Sequence, residues 1–160
     1  MKLFIGSILA AFFFSIPAWA GDAIVQKASL LGMTRQALEP MLEGAQRARA
    51  RRLPSGAVAQ LRQPDVAFEN GRFEQTFFFE QQKLSQIELV SLPDTGPGAT
   101  LFDSLLDDFR QSLGPGLVAG DSASWVAGDA DVLLYRYGDP SRPTVRIVVR
   151  ERQLVDAGEL

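Results

Sequence analysis

Residues 73–92 read FEQTFFFEQQKLSQIELVSL, and this stretch decides the fold. Phe73, Phe77 and Phe79 recur at the period of two that puts side chains on one face of a strand, while Phe78 falls on the other face. Gln81-Gln82-Lys83 supplies a turn, and residues 84–92 run back with apolar and β-branched positions. Strands joined by so short a connection pair antiparallel, because a parallel partner needs a crossover of about a dozen residues or more.

Towards the amino terminus the same grammar continues. Residues 66–69 are a short strand before Asn70-Gly71, the dipeptide of a type I′ hairpin turn. Residues 57–63 pair back, across Pro54-Ser55-Gly56, with a strand over 46–53 that carries Arg47, Arg49 and Arg51 on one face. Before it, Thr34 caps a short helix with Ala37, Leu38, Met41 and Leu42 at helical spacing and Gly44 beyond its end, and Pro40 forces a kink or restart. Residues 21–31 read as a lead-in.

Towards the carboxyl terminus a second cycle begins. After a Pro- and Gly-rich linker over 93–98, Thr100 caps a helix, with Asp103 three residues on. Its stripe is Leu101, Phe102, Leu105, Leu106, Phe109 and Leu113, closed by Gly114-Pro115-Gly116. Strands over 124–127, 132–137 and 144–150 follow, and 153–160 is a tail. Helix then strands, twice, with hairpin connections throughout, defines an α+β fold: two short helices packed on antiparallel sheet. Residues 21–160 form one domain, within which 31–92 and 99–152 are candidate tandem units sharing a core.

The first 20 of the 160 residues are read separately. Lys2, an uncharged run over 3–16 and the Ala18-Trp19-Ala20 site after Pro17 predict a cleaved export signal, with Gly21 as the first mature residue. The uncharged run would rise about 21 Å as a helix, short of the ~30 Å a bilayer core requires. No Cys is present to take a lipid anchor. The expected location is therefore the periplasm, soluble and without membrane anchoring.

Composition narrows the function. With no Cys and no His the chain has no disulfide, no thiolate metal site and no histidine base. Residues 21–90 hold 9 basic and 8 acidic side chains, and residues 91–160 hold 6 and 11, so no basic domain exists to attract nucleic acid.

The Leu31-Gly32-Met33-Thr34 opening, the helix ending at Glu43-Gly44, and the hairpin from Phe77-Phe78-Phe79-Glu80 to Leu84-Ser85-Gln86-Ile87-Glu88 resemble the grammar of BamE-like and beta-lactamase-inhibitor-protein-like modules. The resemblance covers residues 31–90, with a looser echo over 101–150. It implies a small exported helix-plus-sheet fold that binds proteins through a sheet face. The chain departs from it in lacking both a lipidation Cys and a disulfide pair.

Few residues suggest chemistry. Asp103, Asp107 and Asp108 lie off the apolar stripe of their helix, where capping and solvation explain them. Asp121, Asp129, Asp131 and Asp139 do not form a calcium loop, because Val132-Leu133-Leu134 stands where oxygen ligands are needed. The loop over 96–100 leads into a helix but lacks a phosphate-binding lysine. No nucleophile and base can be paired, and no cofactor or metal is implied.

Two features point to binding. Arg47, Arg49 and Arg51 would form a stripe about 7 Å apart on a strand, suited to carboxylates or phosphates on a partner, the alternative being an edge guarded by charge. Phe78 and Tyr135 belong to an aromatic excess on strands, which serves either core or contact. The expected function is non-catalytic binding of an envelope or exported protein, as an inhibitor or immunity-type protein or an assembly accessory. The alternative is a small-ligand or lipid carrier with an aromatic-lined pocket of about 300 Å³ or more.

Overall fold

The structure is a computed structural model that describes residues 20–93 and 98–152. The expected export signal over 1–20, apart from Ala20, and residues 94–97 and 153–160 of the linker and tail lie outside the described residues. In chain order the elements are α1 (Ala20–Ser29), α2 (Arg35–Leu38), β1 (Gln46–Arg47), β2 (Val58–Phe68), β3 (Gly71–Glu80), β4 (Lys83–Ser91), α3 (Gly98–Leu113), β5 (Leu117–Ala119), β6 (Ser122–Ala127), β7 (Ala130–Asp139) and β8 (Arg142–Glu151). The strands form one antiparallel sheet in the order β1-β2-β3-β4-β8-β7-β6-β5. The seam is β4 on β8, where Ile87 faces Val149 and Leu89 faces Ile147.

The hairpin at 73–92 forms as β3 and β4, with Phe73 opposite Ser91 and Phe77 opposite Ile87. Its turn is Gln81-Gln82, both at positive φ (48° and 68°), so the left-handed pair of a type I′ loop sits here. The Asn70-Gly71 turn is displaced. The β2–β3 loop is Glu69-Asn70, and Gly71 already pairs with Phe68. A Cβ on Gly71 would lie 2.7 Å from the Phe73 ring and 3.1 Å from Leu101 Cδ1, so glycine permits close approach of α3. Pro64 and Asp65 are absorbed by a register shift between Gln63 and Val66, which keeps β2 one strand through a proline.

Among the described residues there are three helices where two were expected. Most of the stretch over 21–31, read as a lead-in, is α1, whose Ala23, Ile24, Lys27 and Ala28 share one face. Ile24 is fully buried, but a stripe built largely of alanine is a weak periodic signal. The helix from Thr34 is only α2, capped by Thr34 Oγ1 accepting from the Ala37 N–H at 3.3 Å, and it passes into a 3₁₀ turn at Pro40. The third, α3, begins at Gly98, ahead of Thr100, and runs 16 residues to Leu113. The strand expected over 46–53 is regular only at β1, and β5 was not anticipated.

The helices cover one side of the sheet. There Leu105 and Phe109 of α3 and Ile24 of α1 meet Phe73, Phe77, Ile87, Val132 and Ile147 in one cluster that spans both halves of the chain. Phe109 stacks edge-on against Phe68 (centroids 6.4 Å) and Trp125 (5.4 Å). Trp125 closes the chain after α3 by donating from Nε1 to the Gly114 carbonyl at 2.9 Å. Gly116 (φ 64°) lies under that indole, with room for no Cβ. Among the described residues no helix is long and apolar enough to cross a membrane.

Candidate functional site

Strand alternation places a second set of residues on the side without helices. The register aligns Val90, Arg146 and Tyr135 across β4, β8 and β7, then Glu88, Val148 and Leu133, then Gln86, Arg150 and Asp131. Glu74, Thr76 and Phe78 of β3 continue this face.

Part of the face is covered by the chain itself. Residues 48–57 leave β1 and return to β2, held by Ala48 N–H to the Gln60 carbonyl (3.0 Å), Ala59 N–H to the Arg51 carbonyl (2.9 Å) and Leu53 N–H to the Ala57 carbonyl (2.8 Å). Phe78 is fully buried beneath this arm, with Ala57, Ala59, Ala48 and Leu53 around it. Arg51 lies over the Phe78 ring at 4.7 Å and donates from Nη2 to Glu88 Oε1 at 2.8 Å. Arg146 Nη2 donates to the other oxygen, Oε2, at 2.6 Å. Glu88 is only 2% exposed, so an acid in the middle of the sheet fastens the arm across β3 and β4. Such a carboxylate is tolerated because both oxygens are charge-paired.

Depressions flank this bridge. A groove of about 740 Å³ lies between the arm's tip, Leu53-Pro54-Ser55, and the strand residues Leu133, Tyr135, Tyr137, Arg146, Val148 and Arg150. On the other side a depression of about 520 Å³ includes Arg49, Arg51, Arg62, Glu74 and Glu88. The face therefore gathers Arg49, Arg51, Arg62, Arg146 and Arg150 against Glu74, Glu88 and Asp131, a positive excess in a chain whose formal net charge is −3. Arg136 borders the groove but turns its guanidinium to the helix side, over the Phe102 ring at 4.8 Å and onto Asp121 at 2.6 Å. The acids of α3 lie on that opposite side. Burial and the neighbouring Asp107 push the Asp108 carboxyl up, and burial together with Asp108 does the same to Glu69.

No family model matches the chain, and neither a curated protein nor a solved structure does.

The site must accordingly be read from its own chemistry. Of the residues singled out in the sequence, Arg51 and Tyr135 reach the open face, and Arg49 borders the smaller depression. Arg47 pairs with Leu61 on the edge and does not share a ladder with the other two, because regular pairing stops at Arg47. Phe78 is enclosed and serves as the platform under Arg51. Sequence reasoning missed Glu88 and Arg146. The signal for Glu88 was available: a lone acid between Ile87 and Leu89 in a strand flanked on both sides.

Several of the acidic residues considered for metal or catalysis are engaged elsewhere. Asp121 pairs with Arg136, Asp131 with Arg150 at 3.7 Å, and Asp107 with Arg110 at 3.6 Å. Asp139 accepts from the Ser141 N–H and hydroxyl, both at 2.8 Å, which holds its carboxyl below the usual range. Among the described residues no group of three or more acids is placed to hold a metal ion. What the open face offers is guanidinium donors, tyrosine rings and apolar floor, the composition of contact surfaces that bind proteins.

Proposed function

We propose that this is an exported, periplasmic, non-catalytic protein that binds another envelope or exported protein through the helix-free face of its sheet. The observation that carries the reading is a local excess of positive charge. Five arginines against Glu74, Glu88 and Asp131, together with two tyrosines, lie on or around one face, while Asp103, Asp107 and Asp108 lie on the helix side. Complementary potentials of this kind steer and orient association. Exposed Tyr137, Val126 and Leu117 extend the surface over the second half of the sheet.

The strand order supports a tandem reading. Each half of the chain contributes helix and four strands, and the last strand of each half meets its counterpart antiparallel at the seam, as a pseudo-twofold axis requires. This arrangement is compatible with the resemblance to beta-lactamase-inhibitor-protein-like modules, on which the inhibitor or immunity-type role or the assembly accessory role rests. A small-ligand carrier is the second reading, favoured by the groove's size, which exceeds the ~300 Å³ of the smallest ligand pockets. Its lining of Arg, Tyr and Ser beside Leu and Val is less suited to a lipid, and the phenylalanines among the described residues are buried.

The test compares capture from a periplasmic extract by the wild type, by Tyr135→Ser/Tyr137→Ser, and by the helix-side control Arg110→Ser. The expected result is one protein partner retained by wild type and control and lost by the tyrosine variant. Equal capture by all three, or native mass spectra showing a bound small molecule and no protein, would overturn the proposal.

A further inference from the structure

We infer that Arg51 and Arg146 form a preorganised receptor for a carboxylate, and that the segment docking on the open sheet face is an acidic stretch of polypeptide that places an Asp or Glu side chain on this pair. The inference rests on the reading of that face as a protein-docking surface and names the chemistry of its partner. Two guanidiniums share the single carboxylate of Glu88, so one positive charge is left over where the arm meets the sheet. Each guanidinium has five N–H donors, and the contact with Glu88 uses one from each. The Arg51 and Arg146 side chains are 48% and 33% exposed, so donors other than the enclosed Nε of Arg146 stay open to solvent.

Neither arginine is loose. Arg51 is stacked on Phe78 and tied to a buried acid, and Arg146 has its Nε enclosed with no hydrogen-bond partner. An arginine that has already given up its rotamer freedom on folding meets a second carboxylate at lower entropic cost, which is the general advantage of preorganisation. The fork geometry of guanidinium also suits a carboxylate better than an ammonium would. Glu88 and Phe78 thus act as positioning residues, and Arg51 and Arg146 make the contact.

The surroundings favour polypeptide as the source of that carboxylate. Leu53 and Tyr135 stand with Arg146 in the groove, while Arg49 and Arg62 continue the positive charge beside Arg51 on the other side of the bridge. Charges and apolar walls in alternation match a chain of alternating acidic and apolar side chains. An anionic lipid surface is a poorer match, because the chain carries formal net charge −3.

The experiment selects random dodecapeptides from a display library on the purified protein, then measures binding of a labelled consensus peptide by fluorescence anisotropy. The expected consensus is enriched several-fold in Asp and Glu over the naive library, and its Asn/Gln counterpart binds at least tenfold more weakly. Arg51→Lys and Arg146→Lys keep the charge but lose the fork, and each should weaken binding about tenfold. Circular dichroism checks that both fold; Arg51→Lys, on the partly exposed arm, carries the test if Arg146→Lys does not.

Peptides lost with Tyr135→Ser but indifferent to their acidic content overturn the carboxylate receptor alone. Peptides unaffected by Tyr135→Ser and by both lysine variants, or no selected peptide at all, overturn the docking surface and this inference with it. Binding to phosphatidylglycerol vesicles that is lost in the lysine variants, with no acidic consensus, assigns the pair to phosphate and also overturns it.

Discussion

Lys27 Nζ donates a 2.7 Å hydrogen bond to Gln75 Oε1, joining a partly buried ammonium on α1 to a 2%-exposed amide on β3. The Phe68 ring lies 5.4 Å from Nζ, so the charge sits against an amide and an aromatic face. Burial lowers its pKa from 10.5 to about 8. An unfolded chain keeps Lys27 protonated up to its ordinary value, so between pH 8 and 10.5 the unfolded state binds more protons and stability rises with pH. A gap of this size corresponds to about 3 kcal/mol, at ~1.4 kcal/mol per pH unit. Urea midpoints of the wild type and Lys27→Met at pH 7.5 and 10 provide the measurement. The wild type should gain relative to the variant as pH rises, and Lys27→Met should be at least as stable at pH 7.5. A variant that is markedly weaker at pH 7.5 would show that the charged form helps to hold α1.

The β3–β4 turn is strained by its residues. Gln81 and Gln82 both adopt left-handed φ, a conformation that costs an ordinary side chain about 1 kcal/mol or more. Gln81→Asn combined with Gln82→Gly should therefore raise stability by roughly 1 kcal/mol in thermal or chemical denaturation. No gain, or a loss, would mean that the glutamine side chains contribute contacts that offset the strain.

The weight placed on α3 has a direct check. Phe109 is fully buried and meets Phe68 and Trp125 edge-on, so Phe109→Ala removes ring contacts to both halves of the core at once. The expected loss is about 3–5 kcal/mol. A loss below about 1 kcal/mol in the same denaturation assay would make α3 peripheral to the sheet, contrary to its buried stripe.

These predictions also show which parts of the molecule were legible beforehand. The 73–92 hairpin, α3 and the strands after Trp125 could be read because burial imposes a strict period on them: Phe73, Phe77 and Phe79 in one case, Leu101, Leu105 and Phe109 in the other. The first helix could not, because Ala23, Ile24 and Ala28 bury too little surface to imprint a stripe, and tertiary contact with the sheet and α3 specifies it. The turn at Asn70-Gly71 misled for a related reason. Gly71 answers to the crowding of Phe73 and Leu101, a contact made by residues 30 positions apart. The site was half visible: a run of arginines can be seen in a sequence, but that Arg51 alone of the three finds Glu88 depends on where the arm curls.

That selectivity yields the last prediction. If Arg47, Arg49 and Arg51 were equivalent guards of an edge strand, serine at each would change stability by no more than about 0.5 kcal/mol, as for exposed charges in general. The geometry separates them. Arg51→Ser leaves Glu88 with one partner in place of two and strips the guanidinium from Phe78, so it should cost about 1–3 kcal/mol, while Arg47→Ser and Arg49→Ser stay near zero. A double-mutant cycle isolates the cause: in a Glu88→Gln background, where no buried charge is left wanting, Arg51→Ser should cost less than about 1 kcal/mol. The Arg51–Glu88 coupling should also change little between ~50 and ~500 mM salt, because Glu88 is sheltered from the ions that screen exposed pairs. Equal and negligible effects at all three arginines, with more aggregation in the triple variant, would return the whole run to edge protection.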